Sequence, residues 1–150
     1  MKKNGFTILE LLIVLAIVGM LAAAAIFMLN VSRSKTRDAK RISDISVLRS
    51  GLSQYWLQMA SYPVSNGLNL GQSAQNTNFL TTEGFVGAEG GGNVILQAVP
   101  IGPKSNEFYF YKADVGGYSI RFVLERKSAY GLPGTYYAHA VGVDQEDSLK

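Results

Sequence analysis

The chain has 150 residues, room for one ordinary domain or a long helix with a small head. Apolar residues make up 47% and charged residues 17%, which excludes wholesale disorder. A net charge of +3 is too mild to argue for nucleic acid, and without cysteine there is neither a disulfide scaffold nor a zinc-thiolate site.

The first element is apolar. From Phe6 to Leu29 only Thr7, Glu10 and Gly19 interrupt the run. As a helix it would span roughly 36 Å, enough to cross a hydrocarbon core of about 30 Å with some tilt. Glu10 is its most informative residue. An ionised group in hydrocarbon costs a few kcal/mol or more, so it is kept where it has a partner or a job.

Three readings compete for this segment. One is a secretory signal peptide, with Lys2 and Lys3 as the basic start and Ala22 to Ala25 as the cleavage site. Against it, Glu10 opens the apolar core, and Ile26, Phe27, Met28 and Leu29 continue past the alanines. A plain anchor leaves Glu10 unexplained. The third reading removes a basic leader after Gly5 and frees the Phe6 amine one helical turn from Glu10. In a bundle of such helices, one chain's carboxylate could meet the next chain's ammonium, an attraction that is strong where the dielectric is low. The backbone dipole also favours a carboxylate at a helix N-terminus.

The stretch Gly5-Phe6-Thr7-Ile8-Leu9-Glu10-Leu11-Leu12-Ile13-Val14 resembles the leader junction of type IV pilins and type II secretion pseudopilins. The resemblance implies cleavage after Gly5 by prepilin peptidase, N-methylation of Phe6 and a docking role for Glu10 in assembly. Residues Thr36 to Pro63 are similar to the second half and exit of that family's spine helix. Many members carry a proline midway along the apolar run. Here the prolines are Pro63, Pro100, Pro103 and Pro133, so Gly19 is the only helix-weakening residue in that stretch.

Charge counting opposes the resemblance on orientation. Arg33, Lys35, Arg37, Lys40, Arg41 and Arg49 follow the apolar run, and only Lys2 and Lys3 precede it. That asymmetry would put the C-terminal side in the cytoplasm. The resemblance puts it outside, and the leader motif is the more specific signal.

Within the run, Ala16, Gly19 and Ala23 form a small-residue stripe of the kind that lets helices approach closely in lipid. Beyond it, Ala39, Ile42, Ile45, Leu48, Leu52, Tyr55 and Met59 recur at three- and four-residue steps. Pro63 ends the helix, so one from Phe6 to about Ala60 would run roughly 80 Å. Arg37, Lys40, Arg41, Asp44 and Arg49 lie off the apolar stripe and read as a solvated or intersubunit face. Asp38 and Asp44 sit at helical spacing from Lys35, Lys40 and Arg41.

Residues 61–93 are rich in Ser, Asn, Gln, Thr and Gly and read as a connection with little regular structure. Gly87 to Asn93, read as having no preceding strand, following helix or Lys-Ser/Thr of a phosphate cradle, is expected to be a loop. Val94 to Val99 is a candidate short strand. Phe108 to Tyr111, Tyr118 to Glu125 and Thr135 to Val141 alternate as half-buried antiparallel strands. The expected fold class is α+β, with a small antiparallel sheet laid on the second half of the spine. The expected division is leader 1–5, transmembrane and filament-core helix 6–29, amphipathic helix 30–60, connection 61–93 and sheet head 94–150.

Little else suggests chemistry. His139, the only histidine, reads as a packing or surface residue. Asp144, Glu146 and Asp147 read as a solvated tail, although some secretion pseudopilins hold calcium in a C-terminal loop. No catalytic residue, metal or cofactor is assigned. The expectation is a structural filament subunit and not an enzyme: a type IV pilin, or alternatively a type II secretion pseudopilin. Its implied partners are itself, related pilins, prepilin peptidase, an assembly platform and, before assembly, the inner membrane, with the head outside the cytoplasm. The rival of another class is an exported binding protein or enzyme with an ordinary signal peptide or anchor.

Overall fold

The computed structural model describes residues 7–87 and 91–150. Gly5 and Phe6, and part of the glycine-rich stretch after Gly87, lie outside those residues. Two compact units divide the chain, Met1–Lys35 and Thr36–Lys150. One helix, α1 (Ile8–Met59, 52 residues), supplies the regular structure of the first unit and opens the second. It passes through Gly19 without a break, since a lone glycine costs only about 1 kcal/mol in a helix.

In the first unit the apolar side chains from Ile8 to Leu29 have no protein cover. Ile8, Met20 and Phe27 are 80%, 76% and 71% exposed. The segment is long and apolar enough to cross a membrane, with a mean hydropathy of 2.9. Apolar side chains arranged all round a helix need lipid or other helices as their solvent.

The second unit begins with the amphipathic part of α1. Ile45, Leu48, Leu52 and Tyr55 are buried on one face, as their spacing predicts. Complete burial of a leucine contributes about 1.5–3 kcal/mol. The helix stops where Ala60 turns to a left-handed φ of 52°, and its amide still reaches the Trp56 carbonyl at 2.8 Å. Pro63 then prevents resumption.

Two antiparallel sheets complete this unit. The larger comprises β1 (Ser65–Leu70), β5 (Tyr109–Ala113), β6 (Tyr118–Leu124), β7 (Gly134–Ala138) and β8 (Val143–Asp144), in that spatial order. The smaller is ordered β3 (Gly84–Val86), β2 (Phe79–Thr81), β4 (Val94–Leu96). The inner face of the larger sheet carries Tyr109, Tyr111, Tyr118, Ile120, Phe122, Leu124, Tyr136 and Ala138, which share one core with the helix stripe. The α+β class is therefore the observed one.

One expectation is corrected. Residues 61–93 are not a plain connection: they hold β1, a 3-10 turn (Ser73–Gln75), β2 and β3. The polar composition of β1 hides a strand because its partner, β5, lies far along the chain. Ser65 to Leu70 pairs with Ala113 to Tyr109 through a bulge, and Thr77 bonds Asn69 and Gln72 across the intervening turn. Polar side chains also suit a strand at the sheet edge. The smaller sheet reaches the helix as well. A Cβ at Gly51 would lie 2.6 Å from Leu96 of β4, so glycine here permits close helix–sheet approach.

Candidate functional site

Two places carry the features that the sequence singled out: the start of α1, and a charged cluster inside the second unit. At the helix start, the Glu10 carboxylate accepts from the Thr7 amide at 2.9 Å and from the Thr7 hydroxyl at 3.0 Å. In return the Glu10 amide donates to the Thr7 hydroxyl at 3.2 Å. This reciprocal arrangement is a capping box, which satisfies amides left unpaired in the first turn of a helix. Thr7-x-x-Glu10 is its sequence signature, so this role of Thr7 was available from spacing alone. Glu10 is exposed, and its immediate partner is its own helix start.

The second place is centred on Arg41. Arg41 is 2% exposed, although its position off the apolar stripe predicted a solvated or intersubunit face. That expectation fails because the sheet covers this side of the helix and brings its own carboxylates. Arg41 donates through Nε and Nη2 to the two oxygens of Glu107 at 2.6 and 2.9 Å. Its Nη1 meets Asp38 at 2.8 Å and Glu125 at 2.7 Å. Arg37 grips Glu125 at 2.9 and 2.6 Å, and Lys104 approaches Glu125 at 3.0 Å.

Three cations thus face three carboxylates. Asp38 also accepts from the Glu125 and Arg126 amides at 2.9–3.1 Å, which fixes the end of β6 against the helix. Nearby, Asp44 accepts from the buried Tyr109 hydroxyl at 2.8 Å and from Lys40 at 2.5 Å. The i,i+3 and i,i+4 pairs Asp38–Arg41 and Lys40–Asp44 were expected from spacing. Glu107 and Glu125 were not, because they lie 66 and 84 residues from Arg41.

The electrostatics follow from this geometry. The hydrogen bond from Arg37, with those from Lys104 and Arg41, holds the Glu125 carboxyl far below the ordinary carboxylate range. Burial works against ionisation of Glu107, yet the Arg41 hydrogen bonds and charge outweigh it and lower its pKa. For Arg41 the same contest between burial and its carboxylate partners ends with the guanidinium held more firmly charged. Burial pushes the Tyr109 and Tyr111 hydroxyls up. This cluster is a structural joint between helix and sheet.

The C-terminal carboxylates were expected as a solvated tail, but each has a basic partner. Asp144 Oδ1 meets the buried His139 ring at 3.1 Å and the Glu146 amide at 2.8 Å, and Oδ2 meets Lys150 at 2.8 Å. Glu146 accepts from Lys150 at 2.7 Å. Asp147 turns away to Lys112 at 2.7 Å and to Ser119 at 3.0 Å. Calcium needs roughly six to eight oxygen ligands. With the Lys150 ammonium already between Asp144 and Glu146, and with Asp147 aimed elsewhere, these residues do not fit a calcium ion.

Comparison with known proteins joins these observations. The prokaryotic N-terminal methylation motif is matched over residues 1–26. That motif at the mouth of an uncovered apolar helix, followed by an α+β head, defines the class of prepilin-like proteins. Type II secretion system core protein G of Vibrio cholerae is 30% identical over 135 residues, covering 89% of this chain and 88% of that protein. With similarity across nearly its whole length, the chain belongs to the type II secretion system core protein G family.

The proteins of the same name from Escherichia coli K12 and Dickeya chrysanthemi are 37% and 36% identical over 65 and 64 residues. Those stretches cover 43% of this chain and 45% and 42% of the respective relatives, less than half of either. No solved structure shows a significant match.

Proposed function

We propose that this chain is a structural subunit of a pilin-like filament, and that the filament is a type II secretion pseudopilus. It waits in the cytoplasmic membrane as a single-pass precursor with its head outside the cytoplasm. Prepilin peptidase removes Met1 to Gly5, Phe6 is N-methylated, and the subunits polymerise through their apolar helices into a periplasmic filament. Its further partners are related pilin-like subunits and an assembly platform. The names of its relatives favour the secretion machine over a type IV pilus.

The observation that carries this reading is the uncovered apolar helix from Ile8 to Leu29 with Glu10 as its one carboxylate. A bundle of identical helices supplies what the segment lacks in a single chain. Its side chains find apolar neighbours, and Glu10 exchanges the Thr7 donors for the Phe6 ammonium of an adjacent subunit. A partner with a full charge repays desolvation of the carboxylate better than two neutral donors do. The carboxylate thereby sets subunit register.

Mass spectrometry of the protein purified from membranes is the test. The expected N-terminus is N-methylated Phe6. A chain beginning at Ala25 or Ile26, the product of an ordinary signal peptidase, would overturn the proposal. Retention of Met1 to Gly5 in the assembled form would do the same.

A further inference from the structure

The last residues of the chain lie along the larger sheet, and the contacts that hold them share a pattern. The Ala140 amide donates to the Lys150 carbonyl at 3.3 Å. A Cβ at Gly117 would come within 2.8 Å of the Lys150 backbone nitrogen, so the tail runs close against the β5–β6 turn. Asp147 ties the same segment to Lys112 of β5 and Ser119 of β6. His139, fully buried, places one ring nitrogen on the Tyr118 carbonyl at 3.0 Å and the other on Asp144 at 3.1 Å.

At the centre, one ammonium bridges two carboxylates, with Lys150 Nζ at 2.8 Å from Asp144 and 2.7 Å from Glu146. Two acids two residues apart in a tight segment repel each other unless a cation lies between them. In a loop that binds calcium, the metal supplies that charge.

We infer that Lys150 is a built-in counter-cation: its ammonium sits between Asp144 and Glu146, so the C-terminal segment closes on the sheet without a divalent metal. Charge and geometry agree on this assignment. The Lys150 hydrogen bond leads the effects that pull the Asp144 carboxyl down to about 2, and the two acids raise the pKa of Lys150 in turn. A bound divalent ion would have to expel the ammonium from between the two acids. The head then keeps its fold where calcium is scarce. This inference goes beyond the filament reading, because it concerns the closure of the head alone.

Hydrogen exchange on the full-length protein in detergent micelles tests it, read at the Ala140 and Glu146 amides. The wild-type chain should show the same protection in EDTA as in millimolar calcium chloride. Lys150→Met should lose protection at both amides by roughly threefold to tenfold, the scale of one or two partly exposed charge-assisted contacts. Lys150→Arg should restore most of it, since a guanidinium can also bridge two acids.

The Ile120 amide, deep in the sheet, reports whether a variant remains folded. If Lys150→Met loses protection there too, Glu146→Gln replaces it, with a smaller loss expected at Ala140. Calcium-dependent protection of the wild-type chain would overturn the inference. So would unchanged protection in the variant used, or failure of Lys150→Arg to restore it. Assembly is not measured, so each of these outcomes leaves the filament reading as it stands.

Discussion

A single side chain, Arg41, holds the helix and the sheet in one register. It is almost wholly buried and contacts Asp38, Glu107 and Glu125. Removing one partner of a buried ion pair costs about 3–5 kcal/mol, an upper bound here because Arg37 and Lys104 still face Glu125. Arg41→Met should therefore lower the unfolding free energy of the head by an amount of that order, read as a fall in the urea midpoint by circular dichroism. Acid should act on the same cluster. Glu107 and Glu125 have folded pKa values below their ordinary value of 4.5, so their contribution is present above that pH. It is lost as the pH falls from about 4.5 through the lower folded values, because the unfolded chain then binds more protons. Thermal melts should be nearly flat with respect to this cluster from pH 7 to pH 5 and should drop below pH 4.5. In Arg41→Met the acid-sensitive part should shrink.

Among the elements, the join between α1 and the smaller sheet depends on one small residue. A Cβ at Gly51 would come within 2.6 Å of the Leu96 side chain, which would have to shift. Helix propensity alone would make Gly51→Val favourable, since valine is the better helix former. Overpacking should win instead, at about 1–3 kcal/mol. A loss of melting temperature is expected, together with faster exchange in Val94 to Leu96. The strands show what can be read from a one-dimensional pattern. β6 alternates apolar and polar residues from Tyr118 to Phe122, and in β5 the sheet buries the alternate positions Tyr109, Tyr111 and Ala113. β1 and β2 have no such alternation. Ser65 to Leu70 became a strand because Tyr109 to Ala113 offers it a free edge, and that edge lies far along the chain.

For the whole molecule, the governing fact is an apolar segment that the single chain leaves uncovered. Glu10 is capped by Thr7 there, so the helix start is satisfied without a neighbour. Glu10→Ala should accordingly leave membrane insertion and leader removal intact and reduce filament yield by roughly tenfold or more, on the scale of a lost charge-assisted contact. Sheared material examined by electron microscopy and immunoblotting measures this. Normal filament yield from the variant would remove the register argument.

The apolar length, the T-x-x-E helix start and the stripe at three- and four-residue steps are local patterns, and local pattern determined the apolar segment, the spine and three strands. A helix needs only its own neighbours to form. The burial of Arg41, the edge strand at Ser65 and the ammonium between Asp144 and Glu146 were decided only in three dimensions. Each joins residues whose partners are set by the folded sheet, and a charge shows by sequence neither which face will be covered nor what will cover it.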